Sequence, residues 1–394
     1  MRLLILSFYF PPDLSAGSFR TSALVSALRR DAPPGTQIDV VTTLPNRYHT
    51  FSTNAAELET AAGLEVRRIP LRAHRSDMLG QSRAFLAFAR QALRHLRGRK
   101  YDVVFATSSR LMTAALGAFV SRRLRAPLYL DIRDIFVDTI GDVLPPLLAG
   151  SIKRIFSLVE SWTMRRAQRI NLVSEGFADY FRARYAGRPL TFFTNGIDDE
   201  FLAATTQPVA RPEKESRTTV LYAGNIGEGQ CLHEIVPTLA RALRDRVRFI
   251  IIGDGGRRAA LQSALVSAAV DNVELRDPMP RAQLLGAYQA ADVLFLHLGG
   301  HPAFEKVLPS KLFEYAALGK PVLAGVAGYA AQFTRTEITN SAVFPPGNLA
   351  AALAAFDSLQ IRDRQRPEFI SKYARASIAR AMAADILVVA GCVP

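Results

Sequence analysis

The sequence predicts an α/β protein built as two doubly wound domains with parallel sheets. Three observations lead there. Short apolar runs alternate with helix-like stretches along nearly the whole chain. The runs are continuously apolar, as strands covered on both faces require. One polar, proline-bearing stretch, 203–217, interrupts the pattern near the middle and reads as a linker. A length of 394 residues fits two or three domains, and 49% hydrophobic residues are enough for full cores.

Taken in order, the first run, Leu3–Phe8, stops at Pro11-Pro12. With one preceding Arg and so short an apolar core, it reads as a buried strand and not as a secretory leader. Ile38–Thr42, Leu64–Ile69, Val103–Thr107, Leu128–Ile132, Arg169–Val173 and Thr191–Phe193 complete a first domain, 1–199. After a linker at 200–217, the runs Thr218–Tyr222, Val247–Ile252, Val273–Leu275, Val293–Leu296, Pro321–Ala324 and Ala342–Phe344 make a second, 218–369. The helical stretch from about 370 to 394 is long enough to return to the first domain. Ligands of such folds bind beyond the carboxyl ends of the strands, so two facing domains would enclose a cleft.

Charge and cysteine content narrow the function. Cys231 and Cys392 alone exclude a disulfide scaffold and a cysteine zinc cluster, and fit a reducing cytoplasm. No uncharged apolar run reaches the roughly 18 residues of a membrane helix. The formal charge of +14 calls for a polyanionic partner. Residues 1–199 carry 28 basic and 17 acidic side chains, leaving the second half nearly balanced at +3. Ten of the basic residues lie between 65 and 100, from Arg67 to Lys100. A helix over about 78–98 would set Leu79, Phe85, Leu86, Phe88, Leu93 and Leu96 against arginines, a pattern of membrane-surface helices as well as of ordinary packed ones. No helix-turn-helix, RRM or KH signature accompanies the charge, so nucleic acid is not the expected partner.

Two regions carry candidate chemistry. In the loop Phe10–Arg20, Gly17 removes a side chain where the backbone must approach something, Ser18 can cap the following helix, and Arg20 can add charge toward an anion. In the second domain, Tyr222-Ala-Gly-Asn-Ile-Gly227 and Phe249-Ile-Ile-Ile-Gly-Asp-Gly-Gly256 are strand-to-loop turns; Gly253 and Gly255 would let backbone meet a ligand, and Gly224, Asn225 and Asp254 are further donor-site candidates. The stretch Phe304 to Val322 holds Lys306, Leu308, Pro309, Ser310, Lys311 and Glu314. Lys311 and Glu314, three residues apart on a helix, can present a cation to phosphate and a carboxylate to a ribose. A surface ion pair between them is the competing reading.

The order of these motifs, with Gly63-Leu-Glu-Val-Arg-Arg-Ile-Pro70, Thr194-Asn-Gly-Ile-Asp198 and Glu314-Tyr-Ala-Ala-Leu-Gly-Lys-Pro-Val322, resembles retaining glycosyltransferases of family 4, with the GT-B fold, over essentially the full length. Pro309-Ser-Lys311…Glu314 is similar to the bacterial O-antigen and capsule branch that includes fucosaminyltransferases. The resemblance implies that Glu314 holds the nucleotide ribose, that Ser310 and the backbone of Leu308–Lys311 face the diphosphate together with Gly17, that Gly253 and Asp254 line the nucleotide site, and that Asp277–Met279 touches the base. It implies a nucleotide sugar, with UDP favoured, as donor, and a polyprenyl-diphosphate-linked saccharide as acceptor. Such an enzyme would work at the inner face of the bacterial inner membrane, held there through residues 67–100.

Two departures stand out. The family's E-x7-E motif has Lys306 at its first position, with Glu305 adjacent, and its usual Arg and Lys in the glycine loop are Asn225 and Gln230. We expect Lys306 and Lys311, with Arg20, to supply the missing charge toward the leaving diphosphate, where charge stabilisation dominates catalysis. On the acceptor side, Arg133-Asp134 follows the strand Leu128–Ile132. Asp134 is the candidate base or acceptor contact and Arg133 its orienting cation, with a mutual ion pair as the alternative. Asp138 and Asp142 read as solvated loop acids. His297, His301, Phe304 and Glu305 are candidates for the donor sugar. No ligand spacing suggests a metal, and no cofactor is expected. Trp162, the only tryptophan, is expected in core or interface. A nucleotide-sugar epimerase of the same fold and a basic nucleic-acid-binding protein are the rival functions.

Overall fold

The computed structural model describes residues 1–13, 15–45, 55–71, 78–108, 111–135, 137, 146–204 and 217–392. Met1–Asn195 with Arg375–Pro394 form one compact unit and Gly196–Ala374 the other.

The first unit is built on the strands β1 (Arg2–Leu6), β2 (Gln37–Thr43), β3 (Leu58–Ala61), β4 (Leu64–Ile69), β5 (Val103–Ser108), β6 (Leu128–Ile132), β7 (Arg169–Leu172) and β8 (Leu190–Thr191), in the spatial order β3-β4-β2-β1-β5-β6-β7-β8. All neighbours are parallel except β3 and β4. In register, Leu3 lies between Ile38 and Val103. Leu3, Ile5, Val40, Val103 and Phe105 pack under Leu24 and Leu28 of the helix Ala16–Asp31 and under Met382 and Ile386 of the terminal helix Arg375–Val389. Fully burying each such side chain contributes about 1.5–3 kcal/mol. The chain order reverses between β1 and β5, so the loop after β1 emerges at a topological switch point.

The second unit holds β9 (Thr218–Ala223), β10 (Val247–Ile252), β11 (Val273–Arg276), β12 (Val293–His297), β13 (Val322–Gly325) and β14 (Ser341–Phe344), all parallel, in the order β11-β10-β9-β12-β13-β14. Its core joins Val220, Tyr222, Phe249, Ile251, Val293 and Phe295 to Ile235 and Leu239 of the helix Leu232–Ala242. Its switch point lies between β9 and β12.

Four features differ from the sequence reading or narrow it. The strand β3 was not expected: Leu-Glu-Thr-Ala is exposed throughout and has no apolar period, and it forms by pairing across a turn that ends at Gly63, φ +70°. The boundary falls between Asn195 and Gly196, not after residue 199, and Asp199–Ala204 is a helix of the second unit where a linker was expected. Residues 205–216 lie outside the described residues. The final helical stretch is two helices, Pro367–Tyr373 in the second unit and Arg375–Val389 in the first. The break is at Ala374, which forms a bridge with Ile197. Finally, of the two placements expected for Trp162, core or interface, its 38% exposure on the helix Pro146–Arg166 excludes the core.

Candidate functional site

At the switch point of the first unit, the helix Ala16–Asp31 is capped by Ser15, whose hydroxyl accepts from the Ser18 amide at 3.1 Å. Ser18 was the expected cap; one turn further in, it is fully buried. A Cβ on Gly17 would stand 2.0 Å from a terminal nitrogen of Arg133. The missing side chain therefore makes room for the Arg133 guanidinium over the helix start. Arg133 itself is placed by the end of β6, its amide donating to the Ser108 hydroxyl at 3.3 Å. Next to it, Asp134 reaches solvent, yet desolvation by the surrounding protein pushes its carboxyl up to about 6, with Arg133 pulling the other way. A carboxyl poised there is deprotonated at neutral pH and still basic enough to take a proton. Asp138 and Asp142 lie outside the described residues.

Arg20 is turned into the protein and not outward to a ligand. It is 5% exposed and forms a two-pronged pair with Asp131, both contacts at 3.0 Å. Its remaining donors reach the carbonyls of Thr194 and Phe193, each at 2.6 Å. Asp131 also accepts from Asn171 at 2.8 Å. Burying a guanidinium demands this full set of partners, so Arg20 ties the first helix to β6 and to the chain leaving β8.

In the second unit the glycines expected to face a ligand mostly face each other. A Cβ on Gly253 (φ +147°) would meet the Gly224 carbonyl at 1.9 Å, and one on Gly255 (φ +154°) the Ile226 carbonyl at 2.6 Å. The loops after β9 and β10 thus pack backbone on backbone, joined by Gly224 N–H to the Ile252 carbonyl at 2.9 Å and Ile226 N–H to the Asp254 carbonyl at 2.8 Å. The Asp254 carboxylate accepts from the Gly255 amide at 2.8 Å, closing its own turn.

Lys311 brings charge to these loops. Its Nζ lies 3.0 Å from where a Gly224 Cβ would be, while Leu312 and Phe313 beside it anchor the helix Lys311–Ala317 in the core. Lys311 and Glu314 make no ion pair with each other, which removes the competing reading of that spacing. Burial alone would lower the pKa of Arg281, but Asp198 foremost, with Glu314 and Glu200 adding, raises it; Arg281 is paired with Asp198 and with Glu200 at 2.7 Å, over the Phe201 ring. Asp198 and Arg281 were missed in the sequence. The motif Thr194-Asn-Gly-Ile-Asp198 was visible there, but its partner 83 residues later was not.

Asn225 and Gln230, where the resemblance led us to expect cations, are bonded to each other: Asn225 donates to the Gln230 side-chain oxygen at 2.9 Å, which also accepts from Gly227 N–H at 3.2 Å. His297, a donor-sugar candidate, is buried behind this loop. Its Nδ1–H donates to the Gln230 carbonyl at 2.8 Å and its Nε2 accepts from the Gly347 amide at 3.1 Å. Burial lowers its pKa, so the ring is held as the neutral tautomer. His297 supports the loop and does not present itself to a sugar.

His301 is exposed, with Phe304 edge-on at 5.9 Å. Phe304 covers Gly229, whose Cβ would come within 2.7 Å of the ring. The Glu305 backbone packs on Gly328, its side chain staying exposed, and Lys306 is half-buried at the end of the same 3₁₀ turn. Leu308 is buried, while Pro309, Ser310 and Met279 are half-buried. The Ser310 hydroxyl makes no capping bond. Among the described residues no three His, Cys, Asp or Glu side chains gather as a metal site would require.

Residues 17–196 match the family model described as "Glycosyl transferase 4-like domain", and 217–359 the one described as "Glycosyl transferases group 1". The chain is similar to a 2-deoxystreptamine glucosyltransferase of Streptomyces kanamyceticus, 28% identical over 209 residues, 50% of this chain and 52% of that protein. It is also similar to a putative colanic acid biosynthesis glycosyl transferase, WcaI, of Escherichia coli strain K12, 30% identical over 105 residues, 27% of this chain and 26% of that protein. The chain spans about half the length, or less, of the curated relatives it matches. Among solved structures it is similar to WaaG, a glycosyltransferase involved in lipopolysaccharide biosynthesis, with TM-score 0.63, 16% identity, and 99% and 98% of the two chains covered. HepE of Anabaena in complex with UDP and glucose gives TM-score 0.60, 17% identity, and 99% and 97% coverage. These likenesses establish the GT-B fold.

Proposed function

The chain carries a glycosyl transferase 4-like domain in its first unit and a glycosyl transferases group 1 domain in its second, and from that premise we propose that it is a retaining glycosyltransferase of family 4. The donor in this reading is a UDP-linked, N-acetylated sugar, and the acceptor a polyprenyl-diphosphate-linked saccharide of bacterial surface polysaccharide or O-antigen synthesis, as in the fucosaminyltransferase-like branch. UDP and glucose in the related HepE structure and the lipopolysaccharide role of WaaG support it. The observation that carries it is Lys311, whose ammonium lies beside Gly224 of the β9 loop and makes no ion pair with Glu314 on the same helix.

In this mechanism the sugar becomes oxocarbenium-like as the diphosphate leaves, and the Lys311 ammonium meets the departing charge. Lys311 takes over from the cations replaced by the neutral Asn225–Gln230 pair, and Lys306 adds to it. Glu314 accepts from the ribose hydroxyls. Asp134, with its raised pKa, takes the acceptor proton, and Arg133 orients the acceptor. The transfer needs no metal or resident cofactor in this reading. The enzyme works peripherally at the cytoplasmic face of the inner membrane; no described helix is long and apolar enough to cross one. Of the basic residues at 67–100, Arg68 is buried on the carbonyls of Pro11 and Ala56, and Arg99 is paired with Asp39 and Glu65. The exposed Arg83, Arg90, Arg94, Arg97 and Lys100 remain to face lipid.

A thermal-shift panel of UDP, GDP, ADP and their sugars, followed by turnover on a lipid-linked acceptor, tests the reading. UDP should stabilise the protein most. Lys311→Ala should weaken that shift and lower kcat about 100-fold, the usual loss for one leaving-group donor. An unchanged UDP shift and kcat in Lys311→Ala would sink the assignment, and epimerised nucleotide sugar without acceptor would replace it by the epimerase reading.

A further inference from the structure

The helix Pro146–Arg166 contains one acid, Glu160, and that acid points inward. It is 2% exposed and accepts from the hydroxyls of Tyr180 at 2.8 Å and Tyr185 at 2.6 Å. The helix is therefore fastened to its own unit through this face. On the opposite face Ile155, Leu158 and Trp162, spaced by three and four residues, are 60%, 71% and 38% exposed. The helix Leu111–Leu124 packs beside it, contains no acid, and adds Phe119, 46% exposed. The exposed charges on these two helices are all cations: Arg122 and Arg123 on one, Lys153, Arg154 and Arg165 on the other.

We propose that this apolar and basic face docks on an anionic lipid bilayer, with Ile155, Leu158 and Trp162 entering the interfacial layer and the surrounding cations meeting lipid phosphates. Exposed aliphatic and tryptophan side chains grouped on one helix face mark an interaction surface and not a solvated one. The charge selects the partner. A symmetric contact with a second copy would set cation against cation, whereas an anionic surface is attractive to every charge on the face. Cation attraction and apolar insertion add, as firm reversible binding of a peripheral helix requires. The face is separate from the basic helix Met78–His95, and it stands independently of which sugar the protein transfers.

Trp162 is the only tryptophan in the sequence, so its fluorescence reports on this face alone. Titrating the full-length protein with phosphatidylcholine vesicles, with and without phosphatidylglycerol, should give a blue shift and protection from acrylamide only with the anionic lipid. The double variant Ile155→Asp/Leu158→Asp should lower partitioning about tenfold or more, with unchanged circular dichroism and UDP shift. Neutralising Arg154 should lower it about fivefold. The proposal is overturned by unaltered Trp162 emission on anionic vesicles, or by full vesicle binding in the double variant. It is equally overturned by a lipid-free, concentration-dependent shift accompanied by a dimer mass, which would assign the face to a second copy.

Discussion

At the carboxyl end of β6 the loop itself holds a guanidinium and a carboxyl whose pKa has moved to about 6, whereas at the carboxyl ends of β9 and β10 the loops are backbone packed on backbone, with three glycines at positive φ. The loops' own charges are turned on each other or on themselves, Arg257 pairing with Glu228 and the Asp254 carboxylate accepting from the Gly255 amide, and the cation beside Gly224 comes from outside them, from Lys311 on a separate helix. The difference follows from what each loop has to do. A titratable group must sit where the protein strips some of its water, and Asp134 does so. A loop that cradles a ligand by its amides must instead hold its backbone rigid, and the glycine-on-carbonyl contacts of Gly253 and Gly255 leave no room for it to relax. The same division appears within the first unit between two arginines near the helix start. Arg20 is enclosed by acceptors and structural, and Arg133 lies over Gly17 at the loop.

The sharpest way to break this comparison is at Asp134. If its carboxyl is the working base, Asp134→Asn should lower kcat by about 10²–10⁴-fold while leaving UDP binding and the melting temperature nearly unchanged. The pH dependence has a definite sign. A base must be deprotonated to act, so wild-type kcat/KM should rise with pH, bend near the raised pKa of about 6, and level off above it. Turnover that keeps its full value well below pH 5 would remove Asp134 from that role and leave the loop a shaped ion pair.

The Arg20–Asp131 pair tests the structural side. Replacing one partner strands the other in the core, so Arg20→Leu should destabilise the protein by about 3–5 kcal/mol, measured by denaturant unfolding. A loss confined to UDP affinity, with stability intact, would return Arg20 to the donor site. The pair also shows what the sequence could carry. The strands were legible because each is a local apolar run, and β4, β6 and β10 fall where those runs do. Lys311 and Glu314 were legible because helical spacing is local. Arg20 was not, because its partner lies 111 residues away, and a solitary Arg after a glycine loop reads as an anion ligand until that partner is seen. The exposed β3 was invisible because its identity lies in its hydrogen bonds and not in its side chains. For Gly253 the motif was right about close approach; the neighbour it approaches is the Gly224 carbonyl.

The smallest expected effect sharpens the second region. His297 is neutral in the fold, its Nδ1–H on the Gln230 carbonyl and its Nε2 receiving the Gly347 amide. Burial depresses its pKa below the ordinary histidine value of about 6.5, so the unfolded chain takes up a proton before the folded one does. Stability from this site is therefore complete above pH 6.5 and declines as pH falls through that value toward the lower folded pKa. Protonation costs the Gly347 bond, since an imidazolium has no acceptor nitrogen, and with it the brace behind the Asn225–Gln230 loop. Comparing melting temperatures at pH 7.5 and 5.5 for wild type and His297→Gln should show a steeper acid loss in wild type. At pH 7.5 the variant should be weaker by roughly 0.5–1.5 kcal/mol, the net worth of one buried hydrogen bond. Equal acid slopes in the two proteins would mean that His297 can be protonated in place, and that the loop is held by its glycine contacts and not by the ring behind it.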